Sequence, residues 1–479
     1  MNLQKKTRSG QLALRGGSYS LMMTGLVLAI LIAVNLFAAA LPATLTRLDI
    51  SSSKLYSITS NTKVVVNSLQ KDVTIYWVVQ ADQEDTILEN LLSKYESLSA
   101  HLTVVKKNPD VYPTFTEQYT GETVPNNSLI VECGDRYRYV SYNDLYETEF
   151  DYYSYTYTTS GFDGEGAITS AIDYVVTEEL PLLYVLEGHG EASLSESFSQ
   201  AVEKDNIQTA QLSLLTVEQV PEDADAVLIH APATDISETE AVLLSDYVQS
   251  GGKLLVLSGP AEEEPLSNLN SLLEEYSVTV NEGIVIEGDR SRYMSGYPYV
   301  LVPELQSAAV TDPLLEAGYS AVLPLAQGLT VGYTGKAEVT SLMDTTESAF
   351  SKVAGYGLST YTYEEGDIDG PFSLGVSVEA EGGGQMIWLA VSEMFLEDMY
   401  NALSSGANVD MTMNALSTLM GEREAISIRS KSLNYNYLTI DASTGSTLKA
   451  LMIGVFPLAY LTVGIGVIVR KRGKQNETV

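Results

Sequence analysis

The chain has 479 residues, 45% hydrophobic and 19% charged, so it is long enough for more than one folded domain and is neither disordered nor fibrous. It carries 27 Lys and Arg against 62 Asp and Glu, a formal charge of -35. That balance excludes a nucleic-acid-binding surface as its main feature, because phosphate contacts need clustered cations. The single cysteine, Cys133, excludes a disulfide framework and a multi-cysteine metal site, and three histidines do not favour a histidine-rich metal centre.

Two stretches without an Asp, Glu, Lys, Arg or His residue, 21–41 and 451–469, lie near the ends of the chain. A helix of about 20 apolar residues crosses the ~30 Å core of a bilayer, so each stretch is predicted to be a transmembrane helix. Basic residues precede the first stretch and follow the second, and the positive-inside rule then places both termini in the cytoplasm. A cleaved signal peptide is the alternative for the first stretch, since small residues follow it, although its length favours retention.

The predicted protein is therefore a two-pass protein of the cell membrane with its large middle region outside the cytoplasm. Eight of the 27 basic residues flank the two stretches, which leaves 61 acids and 19 bases between them. Such a surface repels anionic lipid headgroups and keeps a large outer domain soluble. The predicted segments are a cytoplasmic basic N-terminus (1–20), a transmembrane helix (21–41), a first extracytoplasmic α/β domain (46–180), a second (181–400), a membrane-proximal segment (401–450), a second transmembrane helix (451–469) and a cytoplasmic basic tail (470–479).

The first domain opens with a short helix for which Ser60 is the expected N-cap. Its further elements are predicted as strands over 73–79, 102–106 and 129–134 and helices over 87–98 and 167–180. A tyrosine-dense run follows the third strand. Its Y-x-Y pattern indicates strands with one aromatic face, which either pair across a hairpin or bind a glycan or peptide. The run contains Tyr137, Tyr139, Tyr142, Tyr146, Tyr152, Tyr153, Tyr155 and Tyr157.

The second domain alternates near-continuous apolar strands with helices, a pattern that predicts parallel pairing in an open, mostly parallel Rossmann-like sheet. Ser237 and Glu240 have the spacing of a capping box at the start of one helix. Residues 290–382 read as short strands and turns, and the strand over 385–391 is expected to return to the same sheet. Predicted strands cover 182–186, 226–230, 253–257 and 283–287, and predicted helices cover 195–203, 238–248 and 266–276.

Few residues carry a recognisable chemistry. Gly252-Lys253 and Gly335-Lys336 lack the upstream glycine and following hydroxyl of a P-loop, so nucleotide hydrolysis is not expected. No cofactor is predicted. The segment from Asp367 to Gly370 begins like a calcium loop but lacks its third acidic position and closing glutamate, and no metal site is predicted. Cys133 is interpreted as a buried structural thiol rather than a nucleophile.

The candidate binding site is the tetrapeptide Gly188, His189, Gly190 and Glu191, at the carboxyl end of the first strand of the second domain. Ligands of open α/β sheets bind at such ends, and His189 with Glu191 has the chemistry of an acid–base pair. The alternative is a tight strand-to-helix turn in which His189 is hydrogen-bonded to the backbone. Without a G-x-S-x-G nucleophile elbow beside it, the protein is not expected to be an enzyme.

Several segments together resemble the GldG family of auxiliary components of ABC transport systems, named from gliding-motility machinery. They are the membrane stretch followed by 47–51 and 55–59, the G-H-G-E element at 188–191, the segments 225–237 and 247–257, and the C-terminal stretch with its basic tail. The resemblance implies a non-catalytic subunit that works with an ABC-2-type permease and a separate cytoplasmic ATPase. Its ectodomain would contact substrate or an envelope component, with no assumption of gliding itself.

Two alternatives from other classes stay open: an envelope hydrolase or amidotransferase-like enzyme, and a stand-alone surface-binding protein that uses the tyrosine-rich run.

Overall fold

A computed structural model describes residues 25–34, 55, 57–121, 124–151, 156–262, 264–294, 296–333, 335–421, 428, 430–433, 449, 451–460, 462 and 464–466. Residues 1–432 form one compact unit, and residues 433–479 form a second. The larger unit contains a mixed α/β fold with parallel sheet segments, as the sequence predicts.

The first α/β domain is built on a four-stranded sheet of order β2-β1-β3-β4, in which β1 and β2 are parallel and β3 is antiparallel to both of its neighbours. Helix α4 packs on β3 and β4, α2 packs on β2, and α1 contacts both helices. The elements are α1 (Ser60–Asn67), β1 (Val73–Val78), α2 (Thr86–Leu98), β2 (Leu102–Lys107), α3 (Glu117–Thr120), β3 (Ser128–Cys133), β4 (Arg136–Val140), β5 (Tyr146–Asp151), β6 (Thr156–Phe162) and α4 (Gly164–Val176).

The N-cap of α1 is Thr59 rather than the predicted Ser60. The Thr59 side chain accepts a hydrogen bond from the Thr62 backbone N–H, while Ser60 is already helical. Both hydroxyls suit a cap by type, so composition alone does not distinguish them. The contacts of Thr59 with Glu165, described below, explain why the helix begins one residue earlier.

The second α/β domain contains a ten-stranded sheet. Five strands, in the order β8-β7-β9-β10-β21, are all parallel, and antiparallel strands extend the β21 side. The strands of the whole domain, in this sheet and in smaller ones, are β7 (Leu182–Leu186), β8 (Gln208–Leu212), β9 (Ala226–His230), β10 (Lys253–Leu257), β11 (Val278–Val280), β12 (Ile284–Ile286), β13 (Val300–Leu301), β14 (Glu304–Leu305), β15 (Leu323–Pro324), β16 (Leu329–Val331), β17 (Ala337–Asp344), β18 (Phe350–Lys352), β19 (Ile368–Asp369), β20 (Ser373–Ala380) and β21 (Gln385–Leu389). The helices are α5 (Glu196–Lys204), α6 (Glu238–Gln249), α7 (Ser267–Glu274), α8 (Asp312–Ala317), α9 (Asp398–Leu403) and α10 (Ala407–Met420).

Both faces of the parallel sheet are buried, which explains the continuous apolar strands. In β9, Val227 and Ile229 pack with Leu244 of α6, whereas Leu228 packs on the other face with residues of α5 and α10 such as Phe198. The period of two along a strand sends neighbouring side chains into opposite cores. Helix α10 lies within the predicted membrane-proximal segment 401–450, yet it contributes buried side chains to the core of this domain.

The chain returns to the first domain after α10. Strand β22 (Lys431–Ser432) pairs antiparallel with β6, which in turn pairs with β5, so a three-stranded sheet joins early and late parts of the chain.

The predicted transmembrane stretches lie only partly within the described residues. Residues 25–34 are helical with exposed apolar side chains, and 451–460 are also helical. Among the residues that the structure describes, none of the helices has both the length and the apolar character required to cross a bilayer. The termini 1–20 and 470–479, as well as Tyr152, Tyr153 and Tyr155, lie outside the described residues.

Candidate functional site

The predicted binding tetrapeptide lies at the switch point of the parallel sheet. The chain runs from β7 outward to β8 and then crosses back to β9 on the other side of β7. The loops that leave β7 and β9 therefore diverge at their carboxyl ends, the position where open α/β sheets form a crevice. Residues 188–191 follow β7 and residues 231–235 follow β9, so both loops lie at the position of this crevice.

His189 is held between two carboxylates. Its Nδ1 lies 3.1 Å from Glu191 Oε1, and its Nε2 lies 3.2 Å from Glu240 Oε2. The His189 backbone N–H also donates to Glu191 Oε2 at 2.8 Å. All three side chains are buried, with exposed fractions of 7%, 7% and 3%. Each ring nitrogen of His189 therefore faces a carboxylate oxygen, and the imidazole bridges Glu191 and Glu240.

Glu240 is positioned by the N-terminus of α6. Ser237 is the N-cap, and the capping box predicted from the sequence is confirmed. The Ser237 N–H and hydroxyl donate to Glu240 Oε2 at 2.8 and 2.7 Å. Burial raises the pKa of Glu240, but the bonds from Ser237 and the nearby His189 outweigh it and hold that pKa below its usual range. Within the described part of the chain, Glu240 Oε1 is buried without a hydrogen-bond partner.

Backbone hydrogen bonds close the crevice between the two loops. Ala233 and Thr234 both donate from their backbone N–H groups to the His189 carbonyl at 3.0 Å. His230 makes a matching pair of contacts with Ala192, since its carbonyl accepts from the Ala192 N–H at 3.0 Å and its Nδ1 donates to the Ala192 carbonyl at 2.9 Å. Burial lowers the pKa of His230, and the neutral tautomer with a proton on Nδ1 makes this bond.

Gly190 has a backbone reason to be glycine. Its φ of +73° lies in the left-handed region, and a Cβ there would come within 3.1 Å of the Ala233 Cβ. The G-H-G-E peptide thus forms a turn whose His189 carbonyl ties it to the β9 loop and whose imidazole ties it to α6.

A cavity of about 440 Å³ opens beside the G-H-G-E turn, between the carboxyl ends of β7 and β8. Glu191 lines it together with Glu187 and residues 192–194 and 209–211. Of the predicted binding residues, Glu191 is therefore the one that faces a space large enough for a small ligand. A binding role for residues 188–191 stays a prediction.

The other candidates lie elsewhere. Cys133 ends β3 in the sheet of the first domain and is buried. Asp367, where the calcium-like sequence begins, is paired with the buried Lys352 at 2.9 Å. In the described ranges, no group of three or more His, Cys, Asp or Glu side chains is arranged to hold a metal ion.

The tyrosine-rich run contributes packing where it is described. Tyr142 and Tyr146 lie edge to face at 5.2 Å, and their hydroxyls donate to Asp85 Oδ2 at 3.0 and 2.6 Å. Burial and, to a smaller extent, the contacts with Asp85 raise the pKa of Tyr146. Asp85 is also the N-cap of α2, so these tyrosines fix the helix start to the neighbouring hairpin.

One polar cluster was not predicted from the sequence. Glu165, in the first turn of α4, is buried and accepts at Oε1 from Thr59 N–H at 2.6 Å, Thr59 Oγ1 at 2.8 Å and Thr62 Oγ1 at 2.7 Å. Its Oε2 lies 2.6 Å from Lys431 Nζ, and this ammonium also donates to the Ser57 carbonyl at 2.5 Å. We call Ser57, Thr59, Thr62, Glu165 and Lys431 the junction cluster. A sequence signal existed in Glu165, an acid in the first turn of a helix rich in small and apolar residues, but a favourable helix-dipole position explained it equally well.

The fold is that of a two-domain α/β protein, and sequence comparison indicates its class. Residues 181–382 match the family described as "ABC-type uncharacterized transport system", and residues 52–143 match a "Domain of unknown function (DUF7088)". The second α/β domain is therefore similar to this family over residues 181–382, and the similarity supports a transport-associated auxiliary role.

An "Uncharacterized protein" from Borreliella burgdorferi (strain ATCC 35210 / DSM 4680 / CIP 102532 / B31) is similar to this chain, with 23% identity over 280 residues. The alignment covers 50% of this chain and 55% of that protein, so the chain spans about half the length of this curated relative.

Solved structures show distant likeness. The "mmIFT52 N-terminal domain" is 17% identical with a TM-score of 0.36, covering 48% of this chain and 93% of that one. The PurLQS structure from Thermotoga maritima is 9% identical with a TM-score of 0.25, covering 50% and 100%. At these TM-scores the likeness carries no functional argument.

Proposed function

We propose that this chain is a non-catalytic, membrane-anchored auxiliary subunit of an ABC-2-like export system of the GldG kind. The observation that carries the proposal is the match of residues 181–382 to the ABC-type transport family. The stretches 21–41 and 451–469 anchor the protein, both termini are cytoplasmic, and the α/β domains lie outside. Its partners are an ABC-2-type permease and a separate cytoplasmic ATPase, and the ectodomain contacts substrate or an envelope component.

The junction cluster supports an anchored ectodomain. Thr59 follows the first apolar stretch and Lys431 precedes the second, and both contact the same buried carboxylate of Glu165. Segments that lead to two membrane helices are thus tied together at the base of the first domain. A force on either segment would therefore act on the same carboxylate of the first domain.

Affinity purification of the tagged full-length protein in mild detergent, followed by mass spectrometry, tests the partners. Recovery of a multi-span permease together with a P-loop ATPase is expected. Recovery of the chain alone, with crosslinked cells included, would refute the proposal, and ATP hydrolysis by the isolated chain would contradict its non-catalytic character.

Cysteine labelling tests the topology. In a Cys133→Ser background, an impermeant maleimide should label Val242→Cys in intact cells, because Val242 is exposed on α6. Ser9→Cys and Gln475→Cys should be labelled only after permeabilisation. Labelling of either terminal position in intact cells would overturn the predicted orientation.

A further inference from the structure

A groove separates the first α/β domain from the second. It has a volume of about 540 Å³ and is lined on one side by Ser60, Asn61 and Val64 of α1. Helix α8 and helix α10 of the second domain form the rest of its wall. A second cavity of about 380 Å³ shares Tyr319 and Asp410 with it, so the two cavities are neighbouring parts of the same interdomain depression. We call this depression the interdomain groove.

The polar face of α10 is turned toward this groove. Asp410, Asn414, Ser417 and Thr418 line it, at spacings that place them on one side of a helix. Residues on the opposite side, such as Leu416 and Leu419, are buried in the core of the second domain. These four α10 side chains are half-buried or buried rather than open to bulk water, which leaves a recessed polar wall facing α1.

Acidic side chains outnumber basic ones among the described residues that line the groove. Asp312 and Glu316 of α8 and Asp410 of α10 line the larger cavity, and Glu147 and Asp205 line the smaller one. Among the described residues that line the two cavities, the only Lys or Arg is Lys204. It lies 2.7 and 2.6 Å from the two Asp163 carboxylate oxygens, so its charge is already compensated.

Apolar surface lies among these acids. Val64 is 48% exposed at the rim on the α1 side, and the half-buried ring of Tyr319 lies in the wall formed by the second domain. Carboxylates around an apolar strip are complementary to a helix with basic and aliphatic side chains, which binds in a groove through anchors at i, i+3 and i+4.

The groove lies within reach of membrane partners. Ser60 follows the first apolar stretch by fewer than twenty residues, and the Ile428 and Ser430 positions precede the second by little more. A chain of twenty residues spans at most ~70 Å, so the groove lies within that distance of the bilayer surface if the stretches are anchored there.

We propose that the interdomain groove binds a basic, amphipathic extracytoplasmic segment of the partner permease. This inference rests on the proposed function and names the contact that couples the two proteins. Because one wall belongs to each domain, the bound segment contacts both and fixes their relative arrangement. A movement of the permease then displaces the first and second domains together.

Site-specific photo-crosslinking in the full-length protein tests the contact. With p-benzoylphenylalanine at Val64, ultraviolet light should give an adduct with the permease, mapped by mass spectrometry to an extracytoplasmic segment rich in Lys or Arg. The matched control places the same side chain at Val242, which is 57% exposed on α6 and away from the groove. No permease adduct is expected from that position.

Charge reversal supplies the second arm. Asp312→Lys with Glu316→Lys should lower permease co-purification about tenfold or more and make it less sensitive to salt. The control, Glu338→Lys with Glu379→Lys, reverses two exposed acids on paired strands and should leave co-purification unchanged. Reversing basic residues of the mapped permease segment to Glu should restore binding to the groove variant.

The outcomes separate this inference from the proposed function. If the permease co-purifies but crosslinks equally from Val64 and Val242, or not from Val64, the groove is not its binding site. Undiminished binding by the folded Asp312→Lys, Glu316→Lys variant has the same meaning. If that variant does not fold, the crosslinking at Val64 decides. Failure of the permease to co-purify with the unaltered chain overturns both proposals, and an adduct with a different protein class refutes the permease as occupant.

Discussion

The ion pair between Glu165 and Lys431 gives the sharpest test of the fold. Their side chains are 2% and 9% exposed, and Lys431 Nζ is the partner of Glu165 Oε2 at 2.6 Å. In Lys431→Met the carboxylate keeps its three bonds at Oε1 but loses its counter-charge in a buried site. Removing one member of a buried pair costs about 3–5 kcal/mol, a large fraction of the ~5–15 kcal/mol that stabilises a typical protein.

The two tryptophans allow each domain to be followed separately. Trp77 lies in β1 of the first domain and Trp388 in β21 of the second, and both are buried. In a Trp388→Phe background, the fluorescence of Trp77 during urea unfolding of the full-length protein in detergent reports the first domain. Lys431→Met should lower the free energy of unfolding measured in this way by about 3–5 kcal/mol.

A matched exposed pair and a double variant make the test decisive. Lys71 and Glu178 form an ion pair at 2.7 Å with both side chains exposed, so Lys71→Met should change stability far less. Adding Glu165→Gln to Lys431→Met should recover part of the loss, because the uncompensated charge is removed. A loss below ~1 kcal/mol for Lys431→Met, or no recovery in the double variant, would refute the reasoning.

Three further substitutions test separate features. Glu240→Gln should destabilise the protein by more at pH 7 than at pH 3. The lowered pKa of Glu240 in the folded state stabilises the protein above the ordinary carboxyl pKa of about 4.3, and this stabilisation is lost as the pH falls through the folded-state pKa. A difference in urea midpoint between the variant and the unaltered chain that stays constant across this pH range would contradict this reasoning. Tyr146→Phe removes the bond to Asp85 and should cost about 1.5–3 kcal/mol by the same measurement, with Tyr333→Phe, which is exposed, as the unchanged control. Gly384→Ala would place a Cβ 1.7 Å from the Val248 carbonyl oxygen, so we expect little folded protein by thermal unfolding, whereas Gly335→Ala meets open space and should melt like the unaltered chain.

Local patterns predicted the parallel core well. The strands over 182–186, 226–230 and 253–257 are found with those bounds, and the strand at 385 returns beside β10 as expected. Long apolar runs bounded by turn residues and a capping box at Ser237 are signals contained within a few neighbouring residues. They are informative because burial on both faces leaves few alternative structures.

Pairing between distant short strands had no such signal. Strand β16 has three residues, yet it joins β11 to β20 in the main sheet, and β22 has two residues and completes the sheet with β6. Periodicity needs a longer window than this, and partner choice depends on tertiary packing. The same holds for α10, whose place in the core follows from its contacts with the sheet rather than from its position near the second apolar stretch.

The candidate site was predicted in position but not in connectivity. The sequence indicates His189 and Glu191 at a strand end, whereas Glu240, the second carboxylate on the imidazole, is 51 positions away on α6. The capping role of Glu240 was predicted. Its contact with His189 was not, because the same atom, Oε2, makes both the capping bonds and this contact. A side chain that satisfies a local rule gives no hint of a further contact.

The return of the chain to the first domain has a consequence for biogenesis. Lys431 and Ser57, which it contacts, are 374 positions apart. At about 5–20 residues per second, roughly 20–75 s of synthesis separate them, and Glu165 is without its cation for roughly 13–53 s of that time. The domain that is made first is thus completed last. Slowed translation between residues 165 and 431 should lengthen the period in which a protease can cut the nascent first domain.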